Sequence, residues 1–535
     1  MPPAATFGKL AAVPEPEKPT SATAYRIAVL ADFSGRANRG ECGDSADVAA
    51  RAPVVIHRDD FDDVLAGLGV RLSLPVPSKK STEDVAFASL EEFEPDSLWD
   101  RTDPLIRKLA DKAKQTEQMR AFLHDPHFQT VEGAWRGIDW LLRRVAKDDK
   151  VEIVLHDVSS EEFGKDLAAS EDLSKSGVYD LLVKKATQGK KGKPWAMIVG
   201  IYTFEPCADH ASLLGRMAKI ARAACAPFVA AVDSKVLSEK FKAGEGDAEA
   251  WQAMRALPES AYIVLGASRF LVRQPYGAKN RKIEKFDFEE ISSPPKAQEY
   301  PWGNPGLAVA ALIAKGFMEM GWAAKPAATG ALDKMAMHVH LDDGDLVATV
   351  TDAWIDRRHL ATLAKAGYVP FVGVKDKDVI QPTAMQSIAA GPIAGRWDTS
   401  AGVAKAQSTR PSVNRPQMNV GATIAASDFA EPSKDAPSEP AAQAEAPAEE
   451  TPPAETPPEE APAEATASED ASPSGEAPAV SEPPAADAES APSEAGDPEL
   501  DALLKSLGGD APAEEAAAED AGDPELDALL KSLKK

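Results

Sequence analysis

The chain has 535 residues, 44% hydrophobic and 27% charged, which leaves room for two to four soluble domains. Its net charge of −26 is unevenly spread: residues 427–535 hold 29 Asp and Glu against five Lys, a net of −24, so residues 1–426 carry only −2. An acidic tail on a near-neutral body excludes nucleic acid as the main partner, because a phosphate backbone requires a basic footprint.

Cys42, Cys207 and Cys225 are few and widely spaced, which points to a reducing, cytoplasmic compartment. Met1-Pro-Pro-Ala-Ala-Thr-Phe-Gly8 has neither a charged n-region nor an apolar h-region. No uninterrupted apolar run of roughly 18 residues follows, so neither signal-peptide export nor membrane insertion is expected.

In chain order, the Pro- and Ala-rich residues 1–23 read as a disordered arm. Tyr25-Arg-Ile-Ala-Val-Leu30 is a strand running into the turn-rich Ala31-Asp-Phe-Ser-Gly-Arg36. That turn has one glycine and no following Lys-Ser/Thr, so it fails as a phosphate-binding loop. Pro53–His57 predicts a second strand, Asp59–Leu68 a short helix, and the alternating Val70-Arg-Leu-Ser-Leu74 a third strand. A further segment starts at Glu91, and 105–123 reads as helix.

The clearest stretch follows. Asp125-Pro126 marks a helix start, and Val131, Trp135, Ile138, Leu142 and Val145 form one apolar stripe. Trp140 lies half a turn from that stripe, with Arg136 and Arg143 beside it. The helix therefore has a second sticky face, Arg136, Trp140 and Arg143. It is expected to meet either another layer of the same subunit or a neighbouring subunit.

Beyond it, Val151–Leu155, Trp195–Gly200 and Phe228–Val232 read as strands, with helices at 160–167 and 213–224 between them. This alternation predicts an α/β layered domain. Lys184, Lys185, Lys190, Lys191 and Lys193 could hold an anion, but a solvated turn is the favoured reading. Arg269–Gly277 predicts a strand breaking into a turn, 286–290 and 300–304 ordered loops, and 307–320 a helix stopped by Gly321. A last folded piece covers 335–355, a helix 357–365 and a strand 368–374.

Catalytic signatures are absent: there is no Gly-x-Ser-x-Gly, Cys-x-x-Cys or His-Glu-x-x-His. His124 with His127, and His338 with His340, could each offer two metal ligands, but no third converges on either pair, so neither metal nor cofactor is expected. Cys207 and His210 are near in sequence without evidence of an activated thiol.

From about Thr399 the composition turns to Pro, Ala, Glu and Ser, with no aromatic residue after Phe429, which predicts a disordered acidic tail. Within it, 495–507 (Ala-Gly-Asp-Pro-Glu-Leu-Asp-Ala-Leu-Leu-Lys-Ser-Leu) recurs at 521–533. Leu500, Leu503, Leu504 and Leu507, and again Leu526, Leu529, Leu530 and Leu533, fall at i, i+3, i+4 and i+7. Each copy is too short for a stable isolated helix, so folding into a groove on a partner is expected.

Several stretches, in order, resemble the large subunit of the type VI secretion system contractile sheath. They are Leu123-His-Asp-Pro-His-Phe-Gln129, Glu132-Gly-Ala-Trp-Arg-Gly137, Pro194-Trp195, Tyr202-Thr-Phe204, Ala226-Pro-Phe228, Arg269-Phe-Leu-Val-Arg-Gln-Pro-Tyr-Gly277, Phe286-Asp-Phe-Glu-Glu290, Trp302-Gly-Asn304 and Gly321-Trp322. Residues 25–75, with Asp32-Phe-Ser-Gly-Arg36 and Arg58-Asp-Asp-Phe61, resemble the small sheath subunit.

The resemblance implies a layered α/β (mixed α+β) sheath-type domain with edge strands for inter-subunit strand addition. The parts expected are a small-subunit-like region at 24–120, a large-subunit-like domain at 121–398, a disordered linker at 399–494 and the two repeats. It implies a structural polymer rather than an enzyme. The subunit would assemble with itself and the small subunit around an inner tube, contract to drive effector delivery, and engage a baseplate and an AAA+ recycling ATPase. The alternative is a non-polymerising adaptor or baseplate-associated protein whose tail recruits a partner.

Overall fold

Eight strands make the central sheet of the computed structural model, which describes residues 5–398 apart from 77–79, 103–111, 146–149, 188–191, 327–329, 343–344 and 376. These residues belong to the unit Met1–Val420; the second unit, Gly421–Lys535, lies outside the described residues. So do the expected linker at 399–494 and both leucine repeats.

The first strand candidate forms as β1 (Tyr25–Ala31), followed by β2 (Val54–Ile56) and the hairpin β3 (Val70–Val76) and β4 (Ser81–Phe87). Then come β5 (Val151–Asp157), β6 (Met197–Phe204), β7 (Phe228–Val232), β8 (Ile263–Ala267), β9 (Phe270–Leu271), β10 (Trp302–Gly303), the hairpin β11 (His338–Asp342) and β12 (Asp345–Thr349), β13 (Val369–Gly373) and β14 (Ile380–Pro382). The main sheet runs β14-β13-β8-β7-β6-β1-β5-β2. Its six inner strands pair in parallel, and β14 and β2 close the two edges antiparallel. β1 holds a central position although it comes first in the chain.

Both faces of the inner strands are covered, which is why they read as near-continuous apolar runs. Ile27 and Val29 point into one core; Ala28 and Leu30 point into the other. The longer α-helices among the described residues are α1 (Ser45–Ala50), α2 (Phe61–Gly67), α3 (Pro95–Arg101), α4 (Lys112–Leu123), α5 (Pro126–Val145), α6 (Ser160–Ala168), α7 (Ala208–Ala224), α8 (Glu245–Arg255), α9 (Pro305–Met320) and α10 (Arg357–Lys365). The first core holds α4, α5, α9 and the β3–β4 hairpin; the second holds α6, α7, α8 and α10.

Local chemistry sets the helix ends. Asp125 accepts from the His127 and Phe128 amides to open α5. Ser159 and Glu162 form a reciprocal capping box on α6. Asn304 caps α9 with Pro305 in the first position, and Gly321 ends it at φ 63°. Together with the turn after it, α9 is apolar enough on average to cross a membrane, but it packs against β6, β7 and β8 as a core helix.

Several expectations need correction. Residues 5–23 are not a loose arm but lie along the body. Lys9 pairs its backbone with Glu171 and Leu173 (2.6 and 2.9 Å), and Arg216 holds the Thr6 carbonyl and hydroxyl (3.2 and 3.1 Å). Two polar anchors on a Pro-rich segment are invisible to composition. The strand expected to open 269–277 before its turn covers only Phe270–Leu271, and Arg273 just beyond it enters an ion-pair network. β4, β8, β14 and α8 escaped the sequence reading, and α1 lies in a stretch, 37–50, that reads as a loop.

Candidate functional site

The long helix α5 is buried on both sides. Val131, Trp135, Ile138, Leu142 and Val145 are all sealed in the first core. The Trp135 indole N–H donates to the Phe33 carbonyl (2.9 Å), and its ring meets Phe33 and Phe61 edge-on (5.2 and 5.6 Å).

The opposite side carries Glu132, Arg136 and Trp140. Glu132 accepts from Arg136 Nε (2.7 Å) and from Arg273 Nε and Nη2 (2.7 and 3.1 Å). Arg273 also grips Glu290 through Nη1 and Nη2 (2.7 and 2.8 Å), and Glu290 accepts from the Tyr276 amide (2.7 Å). Arg136 reaches the Tyr276 hydroxyl (3.3 Å), and Arg273 lies over the Tyr276 ring.

Glu132, Arg273 and Glu290 are all buried, and the two arginines and two glutamates cancel in charge. Burial pushes the Glu132 carboxyl up, but Arg273 and then Arg136 outweigh it and hold it below the usual carboxylate range. Burial opposes the charge on Arg273, yet Glu132 and Glu290 raise its pKa well above normal. Every carboxylate oxygen of the pair is occupied, so the arrangement locks α5 to the 273–290 segment instead of offering an acid or base.

Of the three residues singled out on this face, Arg136 and Trp140 meet another layer of the same chain. Trp140 packs on Phe270 (ring centroids 4.8 Å) with Arg144 over its other face (3.9 Å). Arg143 points outward, 59% exposed, paired with Asp139 at i−4 (2.8 Å). Sequence reading missed Arg273, Glu290 and Tyr276 as partners; the i,i+4 spacing of Glu132 and Arg136 was the available signal.

The histidine and cysteine candidates do not converge. Among the described residues, no group of three or more His, Cys, Asp or Glu could hold a metal. His338 meets the Tyr300 hydroxyl (2.9 Å) and stacks on His340 (5.2 Å); burial and then His340 push its pKa down to about 4. His210 accepts from the Glu205 amide through Nδ1 (2.8 Å), and burial raises the Cys207 thiol. Lys184 pairs with Asp180 and Lys185 donates to the Ala49 carbonyl; Lys190 and Lys191 lie outside the described residues.

The sheet edges differ. β14 is covered by Leu332, which exchanges two backbone hydrogen bonds with Ile380 (2.9 and 3.0 Å). β2 is the other edge; among the described residues no strand pairs with its outer side, and Val55 is 40% exposed.

Residues 104–389, more than half of the chain, match the family model described as EvpB/VC_A0108, tail sheath N-terminal domain. The chain belongs to this tail sheath family. Residues 16–130 of this sheath-family chain match a second model, described as Type VI secretion system, VipA, VC_A0107 or Hcp2. A relative, the type VI secretion system sheath protein TssC1 of Pseudomonas aeruginosa, is 30% identical over 297 residues, 52% of this chain and 59% of that protein. The chain thus spans about three fifths of that relative's length. The network residues Glu132, Arg136, Arg273 and Glu290 all fall inside the first match.

Proposed function

We propose that this chain is a structural subunit of the contractile sheath of a type VI secretion system. It polymerises in the cytoplasm around an inner tube and contracts to drive effector delivery. The observation that carries this reading, beside family membership, is the open edge at β2. An unpaired edge is a template for a strand from a neighbouring copy, and a head-to-tail contact that does not close yields a filament. The baseplate and an AAA+ recycling ATPase are the further partners of this reading. No step of it calls for a cofactor.

A second reading has one observation in its favour. The matched model is that of an N-terminal sheath domain ending at residue 389, and soon afterwards the composition turns to Pro, Ala, Glu and Ser. A sheath-like adaptor that does not polymerise, with its two leucine repeats recruiting a partner, fits that layout.

Electron microscopy of the purified chain separates the two. Tubules in the parent protein, lost in a folded Val55→Lys variant, support the sheath. Discrete particles from the parent protein overturn it. In the same material, deletion of 495–535 is expected to lower pull-down of baseplate or ATPase proteins; unchanged capture of both removes the tail from either reading.

A further inference from the structure

The two family matches, over residues 16–130 and 104–389, overlap at 104–130 and otherwise assign the chain to a part like the small sheath subunit and a part like the large one, yet the fold does not respect that division. β1, from the first part, is inserted between β5 and β6 of the second. It pairs with β5 from Tyr25↔Val151 to Ala31↔Asp157 and with β6 from Ile27↔Met197 to Leu30↔Gly200. Without β1, β5 and β6 would face each other across two strand spacings, about 9.6 Å, with both inner edges unpaired. Each buried amide and carbonyl left without a partner carries a desolvation cost.

The first part also seals the core. Phe33 and Phe61 close on Trp135, and Phe87 and Phe93 close on Phe128 (6.1 and 5.7 Å). Trp99 stacks on Phe286 (4.3 Å), and Arg281 pairs with Glu94. On the other face Arg51 pairs with the buried Glu162. Among the described residues, the slot between β5 and β6 and the ring contacts on Trp135 and Phe128 are thus filled by this chain's own residues 25–93.

We infer that this chain supplies its small-subunit counterpart in cis, as an integral layer of its own fold, and takes up no separate small sheath subunit. The inference rests on the family matches and the strand order, not on polymerisation, so it stands or falls apart from the sheath reading. Any lattice the chain forms is then built from one kind of polypeptide.

Two measurements on the full chain test it. In the first, the full chain is expressed with a tagged second copy of its own residues 1–130 as the probe. The tag is expected to retain no equimolar full chain; equimolar capture overturns the inference. In the second, a protease site is inserted between Thr102 and Lys112 of the full chain, and the protein is cut after folding. The two pieces are expected to co-elute on gel filtration until denaturant is added. Separation of the pieces, with the 112–535 piece keeping its circular dichroism, overturns the inference even if the added probe fails to fold.

Discussion

Replacing Arg273 by Met removes one cation from two buried carboxylates. Arg273 donates four charge-assisted hydrogen bonds, two to Glu132 and two to Glu290, at 2.7–3.1 Å. Glu132 keeps Arg136, but Glu290 keeps only the Tyr276 amide among the bonds described for it. Removing one partner of a buried ion pair leaves an uncompensated charge and costs about 3–5 kcal/mol. The double variant Arg273→Met/Glu290→Leu removes the orphaned charge as well, so a cycle is expected to show a coupling energy of roughly 1–3 kcal/mol.

The sign of the pH dependence follows from Glu132. In the parent protein its folded pKa is depressed, so its contribution is present above its unfolded value and lost as pH falls through the folded one. Arg273 is the larger of the two opposing cations, so in Arg273→Met burial is expected to outweigh Arg136 alone and to raise the Glu132 carboxyl. A raised carboxyl destabilises the fold as pH rises, and the loss in Arg273→Met is therefore larger at pH 8 than at pH 5. Urea unfolding followed by tryptophan fluorescence at both pH values measures it. A loss below about 1 kcal/mol at pH 8, or one that grows on acidification, refutes the reasoning.

Two further outcomes are expected. Trp140→Ala removes the contact with Phe270 and the support for Arg144, and should lower stability by about 3–5 kcal/mol in the unassembled protein, read by denaturant unfolding. His156, buried in β5 against Trp195, has its pKa pushed down to about 4 by burial, then Arg26 and Lys185. Its unfolded form binds a proton at higher pH, so stability should fall as pH drops from about 6.5 towards 4. His156→Leu should flatten that part of a stability–pH curve.

Periodicity made most inner strands and long helices legible, because a covered parallel strand and an amphipathic helix each leave a repeating apolar signal. α10 came through to the residue, since Asp356 caps one end and the left-handed Gly367 (φ 87°) follows the other. Strand order did not come through. Nothing in Tyr25–Ala31 says that it will lie between strands more than a hundred residues away, since its register is set by partners absent from any local window. β14 spans three residues, too few for a period to declare itself. The ion network was hidden for a related reason: Arg273 and Glu290 become neighbours of Glu132 only after the 273–290 segment folds back.

The stretches that carried the family resemblance contain the buried network and the ring cluster around it. Glu132, Trp135, Arg273 and Glu290 are each at most 5% exposed. Such residues specify a fold, since a buried charge or a large ring tolerates few replacements. They are buried inside the chain itself. Among the described residues, the exposed large apolar side chains lie elsewhere: Val55 on the open strand edge, Met320 at the end of α9, Val339 in β11, and Trp354, 67% exposed just before α10. Val55 falls within the match over 16–130 and Trp354 within that over 104–389. The buried residues hold the fold, whereas an assembly contact needs exposed positions such as Val55. Loss of tubules in Val55→Lys with the interior intact would separate those two roles within one molecule.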